Sequence, residues 1–272
     1  MNSADLVLTE LEDSILTIRI NRPGKKNALN TAMYGILAEA LQRADHEPAI
    51  RAVLLTGCDD SFTSGNDIAD FVNFPPTGPD SPVLRFMHAI IGAETPIIAA
   101  VSGAAVGVGT TLLLHCDLVY AAATATFQMP FVSLGLCPEA GSTLLLPQLV
   151  GHQRASELLL LGESFSAARA EQLGIVTAVV PPEDLLRTAR SKAMQLAAQP
   201  AAAVRLTKSL LKRGNTSHLQ ETTRLKSAVS LNGSPLPRRG KRCRPSWSEE
   251  NRTFQNLTES FHRQDISAAG CF

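Results

Sequence analysis

The sequence predicts an α/β fold with mostly parallel strands, followed by a helical C-terminal region. Short apolar runs alternate with helical patterns between residues 6 and 128, and from residue 153 onward the pattern is helical, interrupted only at 176–180. Glycine-bearing turns follow two of the apolar runs, the place where strands of such folds hand over to ligand-binding loops. No internal repeat is visible in the sequence.

Taken in order, residues 6–10 and 15–20 (LVLTE and ILTIRI) predict two short strands joined by a polar turn. NRPGKKNALN, 21–30, is a loop, and Asn30 or Thr31 caps a helix running through Asp45, since either side chain accepts from an otherwise unpaired N–H of the first turn. AVLLT, 52–56, is a buried strand that opens into a polar loop reaching Asp67. Prolines and glycine at 75–82 predict a loop, and 83–93 a helix. PIIAAV, 96–101, is the next strand; it runs into Gly103, Gly107 and Gly109, and a helical run at 110–116 follows. Residues 118–121 and 126–128 continue the strand series, and Glu139, after Pro138, stands at the predicted start of another helix. Helices are expected at 155–161, 167–173, 185–198 and 200–211.

Composition narrows the function. Of 272 residues, 44% are apolar and the formal net charge is zero, so one large domain with a substantial core is expected and nothing calls for nucleic acid or a membrane surface. No apolar run approaches the roughly 18 residues that span a bilayer. The acidic start MNSADLVLTELEDS lacks the basic and apolar regions of a signal peptide. Cysteines 58, 116, 137, 243 and 271 show neither C-x-x-C spacing nor a regular framework, which points to a reducing cytoplasm and no structural metal.

The chemistry concentrates in two glycine turns and one carboxylate. The turn from Gly103 to Gly109 leads directly into a helical run, so backbone N–H groups and the positive end of a helix face whatever lies above it. No acidic residue follows about 20 positions on, as a nicotinamide site requires, and there is no phosphate-loop lysine. A second turn, SFTSGNDIADF, places Gly65 where a positive φ would present the Asn66 N–H outward, with Asp67 either bracing that loop or simply capping a helix. Glu139 lies in an otherwise uncharged stretch; its alternatives are a solvent-facing first-turn residue and a proton carrier. Backbone donors for an oxyanion, with one carboxylate, suffice to move a proton beside a carbonyl.

Five ordered segments, NRPGKKNALN, SFTSGNDIADF, SGAAVGVGTTLLLHCDLVYA, FQMPFVSLGLCPEAGST and LGIVTAVVP, resemble the enoyl-CoA hydratase/isomerase (crotonase) superfamily over roughly residues 4–225. The resemblance implies repeated ββα turns with trailing helices, trimeric or hexameric assembly, and an acyl-CoA thioester as substrate, with no cofactor beyond the coenzyme A that the substrate carries. It implies that the enolate oxygen is held by the N–H groups of Asn66 and Val108. Hydratases of the family orient water with two glutamates; the matching positions here are Thr111 and Phe131. Glu139 instead matches the base of the peroxisomal type of 3,2-enoyl-CoA isomerase, which serves fatty-acid β-oxidation. The resemblance further implies that Lys25 and Lys26 meet the nucleotide phosphates, although solvated loop lysines are the alternative. Ala28, Ser64, Gly65, Asp67, Ile68 and Gly107 would line the thioester path. Phe131, Leu134 and Leu136 would wall the base from water. The expected organisation is a crotonase-like acyl-CoA-binding core over 1–198, the start of a helical C-terminal region over 199–225, and an atypical basic tail over 226–272.

That tail carries eight Lys/Arg against four Asp/Glu, whereas the preceding chain carries 17 against 21. Reverse-translated from the third base of the Leu231 codon, one frame along, residues 231–256 permit ERLASPEAREALSAFLERRKPDFSK, an ending typical of the family. Two bases of each shifted codon are dictated by this chain's own residues, including the base that chiefly sets polarity. The tail therefore reads as a frameshift product beginning near 225–230, with disorder expected from its composition. Loss of the usual final helix would put activity and trimer stability in doubt. A hydratase is the nearest rival reading. A catalytically impaired acyl-CoA-binding protein, or RNA binding through the basic tail, would be different classes.

Overall fold

The structure is a computed structural model that describes residues 5–214, apart from 59, 76, 77 and 79. The expectations for the tail at 226–272 lie outside the described residues. The chain opens with a hairpin, β1 (Val7–Glu12) and β2 (Ile15–Ile20), whose turn residues Asp13 and Ser14 have φ of 52° and 61°. Two positive φ values in a two-residue loop match the right-handed twist of the paired strands. From β2 the chain enters α1 (Thr31–His46), with Asn30 Oδ1 accepting from the Met33 N–H at 3.0 Å, so Asn30 is the cap.

Three successive units then repeat one pattern: a long buried strand, a three-residue strand and a helix. The first is β3 (Ala52–Thr56), β4 (Ser61–Thr63) and α2 (Ile68–Asn73), extended by α3 (Pro82–Gly92). The second is β5 (Ile97–Val101), β6 (Ala104–Val106) and α4 (Val108–Thr111), which tightens into a 3₁₀ turn at Leu112–His115. The third is β7 (Leu118–Ala122), β8 (Thr126–Gln128) and α5 (Ser142–Val150). Beyond them come α6 (His152–Ser156), a π turn at Glu157–Leu161, β9 (Phe165–Ser166), α7 (Ala167–Gln172), β10 (Ala178–Val180), α8 (Leu185–Ala197) and α9 (Ala201–Arg213).

The long strands form one sheet in the order β1-β2-β3-β5-β7-β10, parallel except for the hairpin, and the short strands a second sheet in the order β4-β6-β8-β9. Side chains of β3 alternate between two apolar clusters. Val53 and Leu55 join the larger core with α1 and α3, while Ala52 and Leu54 meet Leu185, Ala189 and Ala193 of α8. That alternation follows from the two-residue period of a strand and explains why both faces are apolar. α9 is tied down by Lys208, which donates to the Thr95 carbonyl (2.8 Å) and to Asp117 Oδ2 (2.7 Å).

Three sequence expectations need correction. The loop expected through Asp67 contains β4 and is followed by α2, and the strand entering Gly103 continues as β6; strands of three residues are too short to show alternation. Glu139 does not begin a helix. Ala140 and Gly141 intervene with φ of 53° and 64°, and α5 starts only at Ser142.

Candidate active site

β4, β6 and β8 lie side by side and parallel, so their C-terminal ends deliver three turns to one place. These turns are Ser64–Asn66, Gly107–Val108 and the segment from Pro130 onward. The candidate donors thus sit at the ends of the short strands rather than of β3 and β5.

Asn66 forms an isolated parallel bridge with Leu29. The Leu29 N–H donates to Gly65 O and the Asp67 N–H donates to Leu29 O, both at 2.8 Å. In a parallel bridge of this kind the residue between the two bonded groups turns its own N–H the other way. The Asn66 N–H therefore points away from Leu29. Gly65 has φ of +88°, and a Cβ there would lie 2.8 Å from Val106 O, so this turn is pressed against the next one. Asn66 Oδ1 accepts the hydroxyl proton of Tyr34, a residue of α1 only 2% exposed.

Val108 is the first residue of α4, where an N–H has no partner within the helix. Gly107 before it takes φ 58° and ψ −117°, a conformation open to glycine and strained for other residues. Its own N–H is bound to Gln128 O at 2.8 Å, which ties the turn to β8. A Cβ on Gly109 would meet Thr63 Cγ2 at 2.5 Å, so the start of α4 rests on β4.

Glu139 is half-buried. Its own carbonyl accepts the Ser142 N–H at 3.0 Å, and the next carbonyl, of Ala140, accepts from His115 Nε2 at 2.7 Å. Donation to a carbonyl requires the proton on Nε2. Burial holds the His115 pKa down to about 4, so the ring is neutral near pH 7. Burial, and secondarily the charge of Glu139, push the Tyr34 pKa well above its usual value, so the phenol stays a donor.

The remaining predicted residues divide. Lys25 and Lys26 are exposed, and their backbones are stitched to the Asn66 turn: Ser64 N–H donates to Lys26 O (3.0 Å) and Ser64 Oγ to Lys25 O (3.4 Å). Ala28 is half-buried and gives its carbonyl to Arg22 Nη1 (2.9 Å). Asp67 caps α2, accepting from the Ala69 and Asp70 N–H groups, and binds Arg22 Nη1 at 2.8 Å; that hydrogen bond leads in holding its pKa low. Its carboxylate is thus engaged in bracing the loop. Ile68 is 57% exposed on α2. Of the expected apolar wall, Phe131 is buried in the main core and Leu136 packs against it, but Leu134 is 41% exposed and is not a buried wall residue. Thr111 is fully buried.

Sequence reading missed Tyr34 and Asn27. Tyr34 falls on the apolar face of a helix, where an aromatic reads as core. Asn27, fully buried at φ 58°, donates from Nδ2 to Ser61 O (2.6 Å) and Cys58 O (3.0 Å) and accepts the Arg22 N–H (2.8 Å), fastening the lysine loop to β4. Its only sequence signal is an asparagine inside a turn.

A narrow cleft lined by Leu29, Tyr34, Asn66, Phe71 and Phe74 opens beside the bridge. A larger cavity of about 540 Å³, lined by Asp45, His46, Arg51 and Arg205 among others, shares no residue with it or with the turns above. Among the described residues there is no cluster of potential metal ligands, and no helix is long and apolar enough to cross a membrane.

Comparison with known proteins shows the family and the fold. The enoyl-CoA hydratase/isomerase family matches residues 10–234. The 1,2-epoxyphenylacetyl-CoA isomerase of Escherichia coli (strain K12) is 38% identical over 223 residues, covering 79% of this chain and 85% of that protein. Enoyl-CoA delta isomerase 2 of Homo sapiens is 38% identical over 215 residues, covering 76% of this chain and 54% of that protein. The solved structure of Pseudomonas aeruginosa OdaA is similar at a TM-score of 0.80 and 47% identity, covering 82% of this chain and 90% of that one.

Proposed function

The chain belongs to the enoyl-CoA hydratase/isomerase family, and from that premise we propose that it shifts the double bond of a 3-enoyl-CoA to the 2-position, with Glu139 as its only proton carrier. The observation that carries this reading is the contact between the two donor turns, Gly65–Asn66 against Val106–Gly107. It sets the turn that carries the Asn66 N–H against the turn that opens α4 at Val108, and the neighbouring strand β8 leads into the segment that bears Glu139.

In this reading the thioester oxygen lies between the Asn66 and Val108 N–H groups. The Glu139 carboxylate takes a proton from the α-carbon, and the electron pair moves into the carbonyl to give a dienolate whose oxygen those donors hold. Glu139, now a carboxylic acid, returns the proton at the γ-carbon as the electrons flow back, and the carboxylate is regenerated. Donors already in place for the developing charge need no reorganisation during the reaction, and two of them can lower the barrier by several kcal/mol. The lysine loop, stitched to the same turn, would meet the coenzyme A phosphates.

Hydration is the rival chemistry in this family. It needs a second carboxylate to orient water, and the positions where hydratases carry theirs hold Thr111 and Phe131, both buried. Assay of the purified protein on 3-enoyl-CoA and 2-enoyl-CoA separates the readings. Isomerisation should exceed hydration by at least about two orders of magnitude, the usual weight of a positioned acid–base group. Comparable or faster hydration would refute the assignment.

A further inference from the structure

Asn66 is reached from two sides. Leu29 bonds to the peptide groups that flank it, and Tyr34, five residues later on the first turns of α1, bonds to its side chain. We propose that Tyr34 is a positioning residue, whose hydroxyl, donated to Asn66 Oδ1, fixes the direction of the Asn66 N–H toward the substrate carbonyl. This rests on the reading of Asn66 and Val108 as the carbonyl-binding pair.

The backbone bonds alone leave a freedom that the side-chain bond removes. Gly65 O and Asp67 N–H are both held by Leu29, so the segment between them is anchored along one line. Gly65 is held by its contact with Val106 O and by its N–H bond to Thr63 Oγ1 (3.1 Å), and Asp67 is held by Arg22. None of these reaches Asn66 itself, whose peptide groups keep a rocking freedom about that line. Rocking would swing the Asn66 N–H through an arc while both bonds to Leu29 persist. A tether off the axis stops it, and the Asn66 side chain supplies one.

The anchor at the other end is rigid. The Tyr34 ring is buried in the main core and lies 5.4 Å from the Phe86 ring at an angle of 54°, held between α1 and α3. Its oxygen therefore occupies one place, as a group that positions a reacting constellation must. The bond lasts across the working pH range, because burial and the Glu139 charge both oppose ionisation of the phenol. A second link draws α1 and α2 together at the same place: Thr31 N–H and Oγ1 both donate to Asp70 Oδ2 at 2.7 Å. The turn between β4 and α2 is thus clamped onto the start of α1, and Tyr34 is the part of the clamp that reaches Asn66 itself.

The test must separate positioning from plain core filling. Tyr34→Phe keeps the ring and its packing and removes only the hydroxyl. The primary readout is the absorption of a bound 2,4-dienoyl-CoA, whose conjugated thioester shifts to longer wavelength when its carbonyl is polarised. In the unmodified protein a red shift is expected. In Tyr34→Phe the shift should shrink by half or more while affinity stays within about twofold, and kcat for a 3-enoyl-CoA should fall about tenfold with KM little changed, as for loss of one hydrogen bond. Asn66→Ala retains the N–H but removes the acceptor, so it should give the same losses, and the double variant should be no worse than either. Should Tyr34→Phe not fold, Asn66→Ala alone carries the test through the same spectral and kinetic readouts. A red shift and kcat unchanged in both single variants, or losses that multiply in the double variant, would overturn the role of Tyr34. Absence of any red shift in the unmodified protein would overturn the carbonyl-site reading itself, and the Tyr34 role with it.

Discussion

A Cβ on Gly65 would stand 2.8 Å from the carbonyl oxygen of Val106, closer than real side chains approach a backbone. The turn after β4 and the turn after β6 are therefore in contact through a position where only hydrogen fits. Gly65→Ala faces two penalties, the left-handed φ of +88° at about 1–2 kcal/mol and the displacement of one turn from the other. We expect a lower melting temperature, and a loss of isomerisation larger than the loss of acyl-CoA affinity. Thermal scans with titration calorimetry and turnover assays check both. Wild-type turnover in Gly65→Ala would mean that the spacing of the two donors does not matter.

Glu139→Gln keeps the shape of the side chain and leaves both candidate N–H donors in place. Acyl-CoA affinity should be nearly intact, while isomerase turnover should fall by roughly 10²–10⁴, the range for loss of a general base. Single-turnover assays on a 3-enoyl-CoA, beside calorimetry with the same ligand, separate the two effects. Unchanged turnover would show that another group carries the proton.

His115 predicts a pH dependence of stability. It is neutral in the folded protein, with its pKa held down to about 4 mainly by burial, and the nearby Lys212 and Lys208 charges act in the same direction. In the unfolded chain it titrates near pH 6.5. Between those values the unfolded state binds the extra proton, so the contribution is fully present above about pH 6.5 and is lost as pH falls toward 4. The loss from this group is on the order of 3 kcal/mol. Denaturant unfolding at pH 7, 5.5 and 4 measures it. His115→Gln, which retains a donor for Ala140 O but does not titrate, should remove this component of the slope. An identical slope in that variant would assign the effect elsewhere.

The tail carries a claim at the level of the gene. Resequencing around the codons for 225–230 should reveal an inserted or missing base relative to close relatives, with a charged helix and an RKPDF-like ending encoded in the neighbouring frame. Early stop codons in that frame would refute it.

Much of the scaffold was legible because its elements are local and long enough to show a period. Strands β2, β3 and β5 carry continuous or alternating apolar residues, Asn30 announces α1, and the glycines at 65, 107 and 109 mark positions where a side chain would strain or collide. These signals need only the covalent chain and its immediate neighbours. The motifs also sufficed to mark Asn66, Val108 and Glu139 as residues to examine. What the tertiary structure alone decided is how those residues are held. Strands β4 and β6 have three residues each and exist only because they pair with each other and with β8, which was legible at 126–128, across about 20 to 40 positions of sequence. The bond from Tyr34 to Asn66 spans 32 positions, and that from His115 to Ala140 spans 25. On paper Tyr34 is one more apolar residue of a helix face, since the need of a buried hydroxyl for a partner has no periodic signature. Local propensity placed the long strands and the turns, and non-local pairing decided which turns meet and which way the Asn66 N–H points.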